Sequence, residues 1–568
     1  MKGKTLVRLA VFVLGVSLLL GCDTGLRQED FRKIAGGGVD DRINSYPWAI
    51  EQFDGNRDGT PEIYIGTIAN ALCLQAPLMS WVELVLPGFQ LLPPERWQCR
   101  NDLWGDPTDL ASWEPYFQAT YAPARVFRGT YKQGKCRWKW EHAWDPPLEQ
   151  VNGFRGARVF EDALYLTGNG PQHSYIYKTT DGVHFEKASP AGMGTIAGQS
   201  GFRGAQVFKG KLYVSSDKAC MIFCSPDPST DPDSWQQANS TGFVASGGGT
   251  HGGRYDSGTV TAATAGTLTD DTKSWGPFVH QGRQVRITAG AGQGQSLTIL
   301  ANDVTTLTLA GIWETIPDPT SEYEIFESAA PDNQAIWQLA VFHDHLYAIT
   351  WNFVTGPECW KSSDPAPGNW VRVIQGGFGN PNVGFMSIRP FRDHVYIGTA
   401  TYPPLFAGGA GIEGTEILRV DADDKVELVV GRTRQAGVVG PDPVEPLSGI
   451  GAGFGHLTNF YTWTLGEYDG WFYAGTCDFN GMGWDYFEDF FGGGIPPGWE
   501  RLSTLLFGKT GFDLWRTADG VEWIQVSDTG FDAHDNYGIR NLMATQWGFF
   551  VGVANAVDGF EVWLGKRD

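Results

Sequence analysis

Three groups of residues in this chain have the types and spacing that chemistry requires. Asp54, Asn56, Asp58 and Glu62 hold positions 1, 3, 5 and 9 of one short run, with the Thr60 carbonyl at position 7 and Gly59 permitting the turn. Oxygen donors at that spacing suit a hard cation, calcium first; the alternative is a plain polar hairpin turn. Residues 70 to 123 carry Trp81, Trp97, Trp104, Trp113 and Tyr116 among Asp102, Asp106 and Asp109. Residues 478 to 510 carry Phe479, Trp484, Tyr486 and Trp499 with Asp478, Asp485, Glu488 and Asp489. Flat rings beside carboxylates suit sugars, and two facing carboxylates can hydrolyse a glycosidic bond. The plainer alternative is that these aromatics form small cores of their own loops. Arg155, Arg203 and Arg540 make the third group, since they fall in one register of a repeated segment.

The elements that must position these residues are strands. GFRGARVFEDALYLTG (153 to 168), GFRGAQVFKGKLYVSS (201 to 216), AIWQLAVFHDHLYAIT (335 to 350), GFMSIRPFRDHVYIGT (384 to 399) and GIRNLMATQWGFFVGV (538 to 553) are variants of one pattern. Each is an alternating apolar run, a polar turn and a second alternating run, the signature of a β-hairpin, and a third and usually a fourth strand follow. Four antiparallel strands per repeat describe a propeller blade, and the repeats number seven. The seventh supplies only three strands before the chain ends. Residues 30 to 48 align with 522 to 540, Phe31 with Trp523 and Asn44 with Asn536, so an N-terminal strand is expected to close the ring. The expected fold is all-β, a seven-bladed β-propeller with an inserted small β-module. Expected divisions are 1–21 signal, 22–29 tether, 30–243 blades one to three with the closing strand, 244–331 inserted module and 332–568 blades four to seven.

Composition agrees with this and excludes other classes. Of 568 residues 75 are glycine and 32 proline, against a helical bundle, and 42% apolar with 13% aromatic residues is the reverse of a disordered chain. A formal charge of −22 repels phosphate backbones, so no nucleic-acid partner is expected.

Asn333, Phe342, Leu346, Tyr347, Asn352, Gly356, Glu358, Trp360, Asp364 and Trp370 carry a pattern that resembles a family of exported bacterial and archaeal propeller proteins with no common assigned activity. Thr180-Asp181-Gly182 with Phe185, and Ala518-Asp519-Gly520 with Trp523, look like Asp-boxes. The run from Asp54, followed by EIYIGT, resembles the calcium turn of FG-GAP blades; it departs from an EF-hand because position 12 is Ile65. The arginines invite comparison with the carboxylate-binding triad of sialidases, although no FRIP-like motif or assignable Tyr/Glu pair accompanies them. Arginines on first strands would line the central axis, and pairing with neighbouring acids is the alternative to ligand binding. Recurring Glu358, Glu416, Asp513 and Glu561, with Asn169, Asn352 and Asn555, are expected to serve the repeat's folding.

Loops that join strands two and three leave a propeller on the face where consecutive blades connect, so the long insertions all crowd one face. Loops built up on one side of a rigid scaffold mark the binding side. The insertion from 254 to 326 is Thr-rich, alternates strongly and resembles a short module of phage tail and exported bacterial proteins. Its AGAGQGQ lacks the following helix and Lys-Ser/Thr pair of a phosphate loop.

Residues 1 to 21 form a basic start, an apolar stretch and Leu19-Leu20-Gly21 before Cys22, which resembles a bacterial lipobox. The resemblance implies lipidation of Cys22 and a protein held at the extracytoplasmic side of the cell envelope, with a membrane as partner. Cleavage there removes Lys2, Lys4 and Arg8 and takes the charge from −22 to −25. Of the other cysteines, Cys73, Cys99 and Cys136 share one repeat and are the expected source of a disulfide, whereas Cys220 and Cys224 read as one strand and should not bond each other. Two functions fit this sequence. One is a lipid-anchored, monomeric binding module for a glycan or an envelope protein, with Trp104, Trp113, Trp484, Asp485, Trp499, Arg155, Arg203 and Arg540 as ligand contacts and calcium as the structural ion. The other is a glycan hydrolase or lyase that uses the loop carboxylates.

Overall fold

A computed structural model of the chain describes residues 25–75, 92–105, 110–132, 137–147, 151–170, 174–194, 201–217, 220–243, 254–276, 280, 283–326, 333–352, 355–381, 383–401, 413–478, 480–481, 484–485, 498 and 510–567. Cys22, Trp81, Asp106, Asp109, Cys136, Phe479, Tyr486, Glu488, Asp489 and Trp499 lie outside the described residues. These described residues are nearly all β, in antiparallel sheets. Among them, no helix is long and apolar enough to cross a membrane.

Unit 1 is the run Asn44–Phe53, Glu62–Ala69, Val126–Lys132 and Arg137–Trp144, each strand paired to the one before. Units 2, 3 and 4 repeat this order from Gly153–Phe160, Phe202–Phe208 and Ala335–Phe342. Units 5, 6 and 7 begin at Val383–Phe391, Asn459–Tyr468 and Gly538–Thr545. Two-residue turns close the first hairpins, and Glu161, Lys209, His343, Arg392 and Asp469 take left-handed backbone at the first turn position. That conformation matches the twist of the flanking strands. Unit 7 ends its own strands at Glu561–Gly565, and its fourth strand is Phe31–Ala35, with Phe31 opposite Gly565 and Lys33 opposite Trp563. First strands of successive units pack side by side, and that of unit 7 packs against that of unit 1.

Cores lie between neighbouring units. Trp144 of unit 1 stacks on Phe185 of unit 2 with ring centroids 4.8 Å apart, and Tyr64 stands where a Cβ at Gly182 would fall. The turn at Asp181 is capped by that residue, which accepts from the Val183 and His184 amides, and Asp519 caps Val521 and Glu522 in the same way. Recurrent Asn and acidic residues form one clasp per unit. Asn333 donates to Glu358 at 2.6 Å, Asn459 to Asp513 at 2.8 Å and Asn536 to Glu561 at 2.9 Å, each tying the start of a first strand to the third. These groups are buried, so the repeated carboxylates are structural.

Residues 254 to 326 form a separate seven-stranded sheet between units 3 and 4, with its own core of Leu268, Ile287, Ile299, Leu307 and Tyr323. Cys73 is bonded to Cys99. Cys220, Cys224, Cys359 and Cys477 are buried free thiols. Cys220 differs from its expected place on a strand: it has φ +48° in the turn before Ile222–Ser225.

Candidate functional site

Near the start of every first strand the ladder skips a residue. The skips fall between Pro47 and Ala49, Phe154 and Gly156, Phe202 and Ala205, Ile336 and Gln338, Phe385 and Ser387, Thr462 and Thr464, and Ile539 and Asn541. A bulge leaves its extra residue unpaired and re-aims its side chain. The residues so released are Trp48, Arg155, Arg203, Trp337, Met386, Trp463 and Arg540, a belt of tryptophan and arginine on strands that neighbour one another. Glycines make room for it: a Cβ at Gly153 would stand 2.8 Å from Trp48, and one at Gly538 would stand 2.3 Å from Trp463.

Guanidinium groups lie over indoles within this belt. Arg155 is 4.6 Å from the Trp48 centroid and Arg203 3.2 Å from that of Trp337. Arg540 lies 5.4 Å from Trp48 and 4.8 Å from Trp463. The three arginines differ in their partners. Arg155 and Arg203 share Asp217, at 2.6 and 2.5 Å. Burial alone would raise the Asp217 carboxyl, but Arg155 and Arg203 outweigh it and hold the group at about 2. Arg540 has a buried Nε without an acceptor, and no carboxylate pairs with it among the described residues. Burial, with Arg155 adding repulsion, lowers the Arg203 guanidinium to about 9; burial and Arg155 lower Arg540 to the same value against the opposing pull of Tyr46. The belt therefore holds positive charge at a cost, in a chain whose net charge is −22.

The aromatic loops divide. Trp104 and Trp113 meet edge to face at 4.8 Å, and both pack on Tyr116, so they make the core of their own loop. Asp485 is committed to structure: Arg96 holds it at 2.6 Å and the Trp97 indole donates to it at 2.8 Å. Arg96 also pairs with Asp535, beside His534, which stitches the loop of unit 1 to the loop of unit 6 and to the connection into unit 7. Asp485, His534 and Asp535 approach one another closely enough to hold a metal, but the Arg96 guanidinium already supplies the positive charge there. Trp484 is half-buried next to Asp485. Asp478, at the end of the second strand of unit 6, is fully enclosed, and burial raises its carboxyl to about 7.

On the 54 to 62 turn the oxygens are engaged by the turn itself. Asp54 accepts from the Asp58 and Gly59 amides, Asp58 from the Thr60 amide, and Glu62 from Asn56 Nδ2 at 2.9 Å. This turn joins strands one and two, at the other end of the first strands from the belt. It borders a cleft of about 560 Å³ lined by Glu51, Asp54, Arg57, Arg158, Glu161 and Asp162. Arg158 and Arg389 pull the Glu51 carboxyl down, but burial dominates and leaves it raised.

Sequence reasoning brought the three arginines together correctly and missed Trp48, Trp337, Trp463 and Asp217. The signal for the tryptophans was present, since Trp48, Trp337, Trp463 and Arg540 each follow an asparagine by four residues.

No protein-family model matches the chain, and no curated protein does. Among solved structures it is similar to a phage phi92 endosialidase at 12% identity, covering 72% of this chain and 66% of that one, with a TM-score of 0.20. An ulvan lyase solved with a bound -[GlcA(1-4)Rha3S]- unit matches at 7% identity over 94% of this chain and 96% of its own, with a TM-score of 0.33. Trypanosoma rangeli sialidase matches at 11% identity over 60% and 41%, with a TM-score of 0.25. All three are glycan-acting by name, and likeness this loose carries no inference about chemistry.

Proposed function

We propose that the seven units form one closed β-propeller that binds a glycan at the axial belt, on the face where the loops of units 1 and 6 meet. The observation that carries this reading is the bulge register, which puts Trp48, Trp337 and Trp463 beside Arg155, Arg203 and Arg540 on adjacent strands. Indole faces accept the apolar faces of sugar rings, and guanidinium edges donate to hydroxyl or acid oxygens. The stitched loops then act as a wall, and Trp104, Trp113 and Asp485 hold that wall rather than touch ligand. Lipid on Cys22 would keep the protein at the outer side of a membrane, and calcium on the 54 to 62 turn would be structural.

Hydrolysis is the second reading, and Asp478 is the group that favours it, because a carboxyl near 7 can act as a general acid. Its enclosure places it out of reach of a substrate, so binding is the better account. A glycan array on the full chain in detergent, followed by a reducing-end assay on each hit, separates the two. Binding without turnover is expected; release of reducing ends that Asp478→Asn abolishes would replace this reading with the enzyme, and silence on every glycan would refute glycan binding.

A further inference from the structure

Two of the three belt arginines are already neutralised in part. Arg155 and Arg203 contact one carboxylate between them, Asp217, which fixes their orientation over Trp48 and Trp337. Arg540 is the exception in the belt. It is held by two indoles, Trp48 on one neighbouring strand and Trp463 on the other, and by no acid among the described residues. The groups around it are otherwise neutral: Tyr46 stands 5.6 Å from Trp463 and 5.9 Å from Tyr537, all edge to face or tilted. An indole pair stabilises a cation by face contact but offers its guanidinium edge no acceptor. Three guanidinium groups against one carboxylate leave a surplus of positive charge on the belt.

Resting on the reading that the belt is the binding site, we infer that its ligand is acidic: a carboxylate seated on the free edge of Arg540, with Trp48 and Trp463 flanking the ring or chain that bears it. A planar carboxylate matches the parallel N–H groups of a guanidinium, and such charge-assisted bonds are the strong ones. The desolvation that Arg540 carries without a partner would be offset when an anion arrives. Arg155 and Arg203 add long-range attraction and, through Asp217, stay fixed in position. The charge of the ligand is thus read by one residue, and the tryptophans read its shape.

The test uses the full chain in detergent, with D-galacturonate, D-galactose and acetate as probes, followed by calorimetry and by melting temperature. Galacturonate is expected to bind about tenfold more tightly than galactose, the worth of one charge-assisted hydrogen-bond pair. Arg540→Gln is expected to abolish that preference, and Arg540→Lys to restore part of it. Equal binding of the two sugars would overturn the inference and leave glycan binding standing. Binding of acetate that depends on Arg540, with neither sugar bound, would uphold the anion site and remove the glycan. Absence of all three would overturn the inference. Should Arg540→Gln fail to fold, a salt titration of the unaltered protein decides: affinity for galacturonate must fall as sodium chloride rises, and a flat response overturns the inference.

Discussion

Replacing Asp478 by asparagine should stabilise this protein at alkaline pH and leave it unchanged in acid. The Asp478 side chain is enclosed, it accepts the Asn480 amide at 2.7 Å through Oδ1, and its Oδ2 has no partner. Burial raises the carboxyl from 3.8 to about 7, Asp513 raises it further, and the Asn480 amide only partly opposes this. A carboxyl that holds its proton more tightly when folded adds stability below its unfolded value, and that stability is lost as pH rises toward 7. Each pH unit in that window corresponds to about 1.4 kcal/mol, so the fold should lose roughly 3 kcal/mol from this group between pH 5 and pH 8. Asparagine keeps the acceptor for the Asn480 amide and has no proton to lose. Urea denaturation of both proteins at pH 5, 6, 7 and 8 should therefore give curves that diverge with pH, the variant gaining on the parent. If the variant is no more stable than the parent at pH 8, the carboxylate has a compensating partner and the burial argument fails.

Other expectations follow from particular contacts. Gly538→Ala puts a methyl 2.3 Å from the Trp463 ring, and overpacking of this kind costs about 1–3 kcal/mol, read as a lower melting temperature. An unchanged melting temperature would mean the indole is free to move. Reducing Cys73–Cys99, which closes a separation of 26 residues, should cost about 3 kcal/mol by the chain-entropy relation, and dithiothreitol should lower the melting temperature accordingly. Calcium should raise the melting temperature of the unaltered protein and EGTA should reverse it. Asp54→Ala should remove that response, and an equal response in the variant would take the ion away from this turn.

Strand periodicity made the repeat readable, because alternation and two-residue turns are local properties of the chain. The closing strand was readable for the same reason: residues 31 to 35 carry the pattern of a fourth strand, and Phe31 does pair opposite Gly565. What alternation does not carry is a bulge. A reading of strict period two gives Trp48 and Arg155 faces set by parity, whereas the skipped ladder position re-aims both. The partners of Asp217 and Asp485 were hidden by distance along the chain, since Arg155 precedes Asp217 by 62 residues and Arg96 precedes Asp485 by 389. Composition alone likewise favoured Trp104 and Trp113 as ligand contacts, although each indole satisfies the other.

Because the strand that opens the described chain pairs with the strand that ends it, the order of synthesis matters. Phe31–Ala35 leaves the ribosome first and has no partner until Glu561–Gly565 follows. Contacts so far apart in sequence form late and slowly. A ring built this way stays open through translation, and a chain that must cross a membrane unfolded gains from a last bond that only its final residues can make. Truncation near the C-terminus would then do more than trim an end: it would leave Phe31–Ala35 as an unpaired edge, ready to add to another copy.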